Sequence, residues 1–387
     1  MVTRAPLRPV ATTGPVLVVG TGLLGTSAGL ALSAAGVDVL LSDNSPTSQR
    51  LAQDVGAGRP VAYMGAEGPT LVLVATPPDV AGGCVVEALT HYPGAVVTDV
   101  ASVKSAVVED VLREAEKTGD PAIAARYVGS HPMAGRERSG AGAADADLFI
   151  GRPWVVVPHE GSSAEAQLVV RTLATDLGAV PLEMDADTHD HSVALVSHVP
   201  QLVASLLAAR LADAPGVALG LAGQGLRDTT RIAASAPRLW TSILAGNAGP
   251  VVETLEALGA DLEDLLVHLR AAVVQGPLEG GSVGAVNRVM EAGNRGVARI
   301  PGKHGGAPQR FSEVEVLVPD RPGELGRLFT ELGEIGVNLE DLTLDHSAGQ
   351  QVGVARVMVD PARARDAELG LERRGWRIIA HWSTEGS

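Results

Sequence analysis

Residues 16–25 read Val-Leu-Val-Val-Gly-Thr-Gly-Leu-Leu-Gly: a short apolar run that enters a Gly20-x-Gly22-x-x-Gly25 turn. The run has the length and composition of a buried strand, and residues 23–35 continue at helical length without a breaker until Gly36. Strand, tight turn and helix in that order are the opening of a parallel α/β unit. The pattern then repeats, with apolar runs at 37–41, 70–75 and 95–99 separated by helical stretches, and with 127–129, 154–158 and 179–184 as later strands. Alternation of this kind predicts a parallel sheet covered by helices on both faces.

In such a turn the first glycine permits the tight bend, the second lets the backbone approach a pyrophosphate, and the third lets the helix pack closely on the strand. Gly20, Gly22 and Gly25 fill those places, with Leu23 and Leu24 opening the helix. Asp43 follows the second strand, where a carboxylate can bind the two hydroxyls of a ribose and would repel a 2′-phosphate. No arginine follows before Arg50. The expected cofactor is therefore NAD rather than NADP, in a Rossmann-type domain.

At 387 residues the chain is too long for one ordinary core. Residues 1–186 form the expected NAD-binding domain. From 187 to 296 the strand pattern gives way to Ala/Leu/Val-rich helical stretches, which predicts an all-helical second domain. Residues 297–310 have the Pro/Gly composition of a linker. Residues 311–387 then alternate as strand, helix, strand, strand, helix, strand, the ferredoxin-like order. The predicted class is thus α/β with a helical middle domain and a ferredoxin-like C-terminal one.

A formal net charge of −15, with no basic stripe, argues against nucleic acid as a partner. Cys84 is the single cysteine, so neither an intrachain disulfide nor a thiolate metal cluster can form, which fits a cytoplasmic protein. The apolar stretch 193–211 carries His198, Pro200, Gln201 and Arg210, costly groups in lipid, so it reads as a buried helix and not a membrane span.

The chemistry concentrates at two strand ends. His131, in Tyr127-Val128-Gly129-Ser130-His131-Pro132-Met133-Ala134-Gly135, follows a strand and precedes Pro and Gly, where a sheet opens to ligand. Its ordinary pKa near neutrality suits a base that accepts an alcohol proton during hydride transfer, although a structural loop histidine is the plainer alternative. Asp99-Val100-Ala101-Ser102-Val103-Lys104 follows another strand and can project a hydroxyl and an ammonium into the same crevice; Ser102 can equally be a helix N-cap. The chain has only three lysines, Lys104, Lys117 and Lys303, so a lysine here stands out from the arginines. His189, His191 and His198 cluster in sequence, with His191 and His198 on one heptad-like face, but no metal motif accompanies them and no metal is expected. Asp228 and Arg231 stand at helical i, i+3, a spacing at which a carboxylate can orient a guanidinium or simply form a solvated pair.

Taken together, the glycine turn, Asp99-x-x-Ser102-Val103-Lys104, His131-Pro132-Met133-Ala134-Gly135, Ser197-His198-Val199-Pro200, and Asp228-Thr229-Thr230-Arg231 followed by Trp240 resemble the prephenate dehydrogenase family, and the resemblance covers nearly the whole chain. It implies that His131 takes the proton of the ring hydroxyl and that Ser102 binds both that hydroxyl and the histidine. It further implies that Arg231 holds the side-chain carboxylate, that His198 and Trp240 complete the pocket, that Glu137 lies near its mouth, and that Lys104 contacts substrate. The implied reaction is oxidative decarboxylation of prephenate to 4-hydroxyphenylpyruvate in a homodimeric enzyme. Gln201 stands where many relatives carry a second histidine, which leaves the amino analogue arogenate open as substrate. Asp320-Arg321-Pro322-Gly323-x-Leu325, with Asn338 after the next helix, resembles the loop of an ACT regulatory domain and implies tyrosine as effector. The competing readings are a β-hydroxyacid dehydrogenase or imine reductase, and an NAD-linked amino-acid sensor without chemistry. The hydroxyacid enzymes use a lysine on the interdomain helix, and residues 187–212 contain none.

Overall fold

The structure, a computed structural model, describes residues 10–65, 68–136, 140–301, 311–346 and 352–379. Its first sheet is built from β1 (Val16–Val19), β2 (Val39–Ser42), β3 (Arg59–Pro60), β4 (Leu71–Val74) and β5 (Val96–Asp99), in the order β3-β2-β1-β4-β5 and parallel throughout. Helices α1 (Leu23–Ala34), α2 (Pro46–Asp54) and α3 (Pro78–His91) make the crossovers, and α4 (Ser105–Thr118) and α5 (Pro121–Ala125) follow β5. The two-residue period of each strand sends alternate side chains to two cores. Val16, Val18, Leu41 and Leu73 pack on one face with Ala28 and Leu32 of α1, while Leu17, Leu40, Val72 and Val74 pack on the other with Val85 and Leu89 of α3. Each such buried side chain contributes roughly 1.5–3 kcal/mol, which is why the apolar runs were readable as strands.

The later strands depart from expectation. β6 (Gly129–Pro132), β7 (Pro153–Val157) and β8 (Val180–Glu183) form a separate three-stranded sheet in which β6 runs antiparallel to β7 and β7 parallel to β8. A parallel connection needs a crossover helix. Helix α6 (Ala164–Asp176) supplies one between β7 and β8, whereas the described residues between β6 and β7 hold only a 3₁₀ turn, Ala141–Ala143. A parallel bridge between Val97 and Tyr127 ties the second sheet to the edge of the first.

Helix α7 (Ala186–Val193), a π-turn (Ala194–His198) and α8 (Val199–Ala209) run on as one 24-residue helical stretch. Pro200 lacks the N–H that would close the preceding α-turn, so the wider turn falls just before it. The stretch is long and apolar enough to cross a membrane, yet it is not the buried helix expected: only a third of it is covered, and Leu195, Val196 and Leu206 are more than 60% exposed. Then come α9 (Gly216–Leu219), α10 (Gln224–Thr230), a 3₁₀ turn Arg231–Ala233, α11 (Pro237–Gly246), α12 (Ala248–Gln275) and α13 (Ser282–Val297).

The chain divides into two compact units, Met1–Asp213 with Thr230–Leu258, and Ala214–Thr229 with Gly259–Ser387. Residues 187–296, expected as one helical domain, contribute to both. The second unit ends in β9 (Ser312–Pro319), α14 (Glu324–Ile335), β10 (Asp341–His346), β11 (Val352–Val359), α15 (Pro361–Arg373) and β12 (Arg377–Ile379). Its strands form one antiparallel sheet, β10-β11-β9-β12, with Val314, Val316, Val318, Val357 and Val359 buried against Leu328, Leu332 and Leu371 of the two helices.

Candidate active site

The turn after β1 is shaped by what cannot fit there. Gly20 has φ +97°, and a Cβ at this position would strike the backbone oxygen of Ala75; a Cβ on Gly25 would strike Gly20 O. Gly22, by contrast, faces open space, and it begins α1 with no side chain capping the helix and no acid in the first turn. Unopposed N–H groups at a helix start attract phosphate. Asp43, at the end of β2, accepts from Thr21 N at 2.6 Å and Thr21 Oγ1 at 2.8 Å, and its other oxygen accepts from Ser45 N at 2.7 Å. It thereby fixes the glycine turn to the second strand. Turn, open Gly22 and carboxylate fit the pyrophosphate and ribose of a dinucleotide.

His131 lies within β6 and not beyond it, since the strand occupies 129–132 and not 127–129. Its Nδ1 is 2.9 Å from His189 Nε2 on α7, and His189 Nδ1 is 2.8 Å from Asp190 Oδ1. His131 keeps partial exposure, whereas His189 and Asp190 are buried. Burial holds the His131 imidazole well below its ordinary pKa, with the neighbouring His189, Lys104 and His198 adding to the effect and Asp190 opposing it. The ring is therefore uncharged at neutral pH, the state a base requires.

Asp190 also accepts from the backbone N–H of Lys104 and of Ser105, each at 2.9 Å. Burial pushes its carboxyl up, but these bonds and the one to His189 outweigh it, and the group is held below the usual carboxylate range. The start of α4 is thus capped by a residue of α7, and not by Ser102, which stands half-buried in the loop ahead of it. Lys104 is more deeply enclosed than Ser102. Its side chain is wholly buried with Nζ bonded to Asp99 Oδ1, and Tyr127 donates to Asp99 Oδ2 at 2.7 Å. The Lys104 side chain is thus enclosed and paired with a carboxylate.

His198, in the π-turn, is buried, and its Nδ1 lies 3.0 Å from Asn247 Nδ2. Asn247 donates from the same nitrogen to Asp190 O at 2.7 Å, which fixes the amide orientation. His198 Nδ1 is then an acceptor and its Nε2 carries the proton. Burial lowers its pKa to about 4, against the opposing pull of Asp190, so it is a neutral donor. The half-buried Trp240 ring stands edge-on to it at 6.2 Å. The 3₁₀ turn that Arg231 opens packs on α8, where Ser235 Oγ lies 3.4 Å from Oε1 of the buried Gln201; Arg231 itself is exposed. Asp228, on α10, accepts from Gln224 at 2.7 Å.

Of the residues expected at the site, His131 and His198 are linked through His189, Asp190 and Asn247, three residues that sequence reading did not select. Glu137 lies outside the described residues. The expected His191–His198 face is corrected: His191 is exposed beside Asp187 and Glu253, while His189 and His198 point inward, because the π-turn changes the angular register between them. The one sequence signal for the missed pair was the spacing of His189 and Asp190 to the apolar Val193, i, i+1 and i+4 on one helix face, and all three are buried. In the second unit, Asp320, Arg321, Pro322 and Gly323 form an exposed loop between β9 and α14, with Gly323 at φ +92°. Asn338, also exposed, donates to Glu340 at 2.6 Å.

Residues 28–182 match the family described as prephenate dehydrogenase, nucleotide-binding domain, and residues 185–278 match prephenate dehydrogenase, dimerization domain. A probable prephenate dehydrogenase of Streptomyces niveus, NovF, is 36% identical over 365 residues, covering 93% of this chain and 98% of that one. Among solved structures, a putative prephenate dehydrogenase of Corynebacterium glutamicum is 28% identical with a TM-score of 0.62, over 75% of this chain and 89% of the other. The prephenate dehydrogenase of Aquifex aeolicus, solved in complex with hydroxyphenyl propionate and NAD+, is 26% identical with a TM-score of 0.61, over 73% and 96%.

Proposed function

The chain belongs to the prephenate dehydrogenase family, and from that premise we propose that it oxidises and decarboxylates prephenate to 4-hydroxyphenylpyruvate, with NAD as the cofactor. Gly20, Gly22, Leu23, Leu24, Gly25 and Asp43 hold the dinucleotide, which when bound supplies the hydride acceptor. The protein's own task is to bind the substrate dianion, orient its ring and remove one proton. His131 takes the ring-hydroxyl proton, and Ser102 holds that hydroxyl. Arg231 pairs with the side-chain carboxylate, His198 donates from Nε2 and completes the pocket with Trp240, and Glu137 is the acid assigned to its mouth. Loss of the ring carboxylate as CO2 aromatises the product, which makes the step effectively irreversible.

The observation that carries this reading is the His131 imidazole, kept uncharged at the edge of the dinucleotide-binding domain and linked by hydrogen bonds to a buried carboxylate of α7. An amino-acid sensor has no need of a base so placed. Gln201, a buried neutral amide, favours a second reading in which arogenate is also accepted. Supplying each compound with NAD and measuring NADH against released CO2 tests both: equimolar NADH and CO2 from prephenate is expected, and neither product from either compound overturns the assignment.

The C-terminal βαββαβ arrangement supports reading residues 311–387 as an ACT domain that binds tyrosine through Asp320, Arg321, Pro322, Gly323 and Asn338. The exposed Leu195, Val196 and Leu206, within the residues matched by the dimerization family, support a homodimer that covers them.

A further inference from the structure

The contact between His131 Nδ1 and His189 Nε2, at 2.9 Å, has one proton to share, given by one ring and taken by the other. Asp190 settles the far end. Its carboxylate, ionised by the two backbone N–H bonds from Lys104 and Ser105, faces His189 Nδ1 at 2.8 Å, so that nitrogen must carry hydrogen. Neutral His189 is then left with a lone pair at Nε2, and His131 donates to it from Nδ1. The free lone pair of His131 is at Nε2, the nitrogen turned away from His189.

We infer that His189, backed by Asp190, is the positioning residue of the base: it fixes His131 as the Nδ1–H tautomer and takes over that proton when a substrate proton arrives at Nε2. The inference rests on the reading of His131 as the base. The protons balance as follows. The substrate O–H bond breaks as His131 Nε2–H forms, His131 Nδ1–H breaks as His189 Nε2–H forms, and His189 Nδ1–H stays on Asp190. One proton has entered the pair, and its charge rests on His189 against a carboxylate. The reverse sequence returns it to solvent after product leaves. Without the relay the charge would stay on His131, where burial and the Lys104 ammonium both oppose it. His189 touches neither substrate nor cofactor in this scheme and acts only through His131.

Nitrogen-15 spectra of histidine-labelled protein saturated with NAD report the tautomer directly, with His131→Asn identifying the His131 signals. The expected resting state near neutral pH has Nδ1 protonated and Nε2 bare, and His189→Leu shifts it toward the opposite tautomer. His189→Leu should also lower kcat roughly 10²-fold or more with substrate KM within about threefold, since loss of an orienting partner leaves the wrong nitrogen protonated. His189→Gln, whose amide oxygen still accepts from Nδ1, should regain at least about tenfold. A resting His131 with its proton on Nε2 overturns the proposal, as does a His189→Leu enzyme of normal kcat. Should His189→Leu not fold, the wild-type spectrum and His189→Gln decide. Normal turnover by His131→Asn would instead remove the base reading and leave the tautomer result standing, so the two failures are distinguishable.

Discussion

Asn247 Nδ2 stands 3.0 Å from His198 Nδ1 and, through its other hydrogen, 2.7 Å from the backbone oxygen of Asp190, so one amide at the start of α12 holds the π-turn and α7 in register. Asn247→Leu leaves His198 Nδ1 buried without a donor, a loss of roughly 1–3 kcal/mol. The urea midpoint should fall accordingly. His198 is then free to reorient, so KM for substrate should rise more than kcat falls, and an unchanged KM would detach His198 from binding.

Two histidines give the enzyme its pH behaviour. His131 is held well below its ordinary value of 6.5, chiefly by burial, and His198 is lowered to about 4. A base must be unprotonated, so kcat/KM should fall on the acid side as the linked His131–His189 pair takes up a proton. Stability follows the same direction. Below 6.5 the unfolded chain gains protons that the folded one refuses, so stability is full above that pH and is lost as pH falls toward 4, on the order of 3 kcal/mol from His198 alone. An acid limb of kcat/KM left unmoved by His189→Leu would contradict this.

Lys104 and Asp99 form an ion pair with no exposure on either side chain. Lys104→Met strands a buried carboxylate, and breaking such a pair from one side costs about 3–5 kcal/mol. The thermal midpoint should drop sharply, and adding Asp99→Leu should restore much of the loss because both charges are then gone. A fully stable Lys104→Met protein would mean that the pair is not formed.

The tyrosine-binding reading of the C-terminal region turns on Asn338, exposed beside Glu340. Asn338→Ala should raise the tyrosine concentration needed for half-inhibition about tenfold or more and leave uninhibited kcat unchanged. Full inhibition of that variant would place the effector elsewhere.

The dinucleotide-binding region was legible because its demands are local: Gly20 needs positive φ, Gly25 needs the absence of a Cβ, and the strands need unbroken apolar runs. His131 was legible because it adjoins a strand and a turn. His189 was not, since one histidine among the polar residues of α7 matches no motif, and its partner on β6 is 58 residues away in the chain. The π-turn before Pro200 defeats any fixed helical period, which is why His191 was grouped with His198 in place of His189. The reversal of β6 accords with the lack of a crossover helix among the described residues between β6 and β7, and the exposed Leu195, Val196 and Leu206 carry the same composition as core. Lys104 stood out by its rarity, but composition alone does not tell an ammonium facing a ligand from one paired with a buried carboxylate.

The central claim is that His131 is the proton acceptor in hydride removal from substrate, and single-turnover kinetics of His131→Asn test it most directly. The account predicts NADH formation slowed roughly 10²–10⁴-fold with the dissociation constant for NAD unchanged. A variant that forms NADH at the wild-type rate would contradict it.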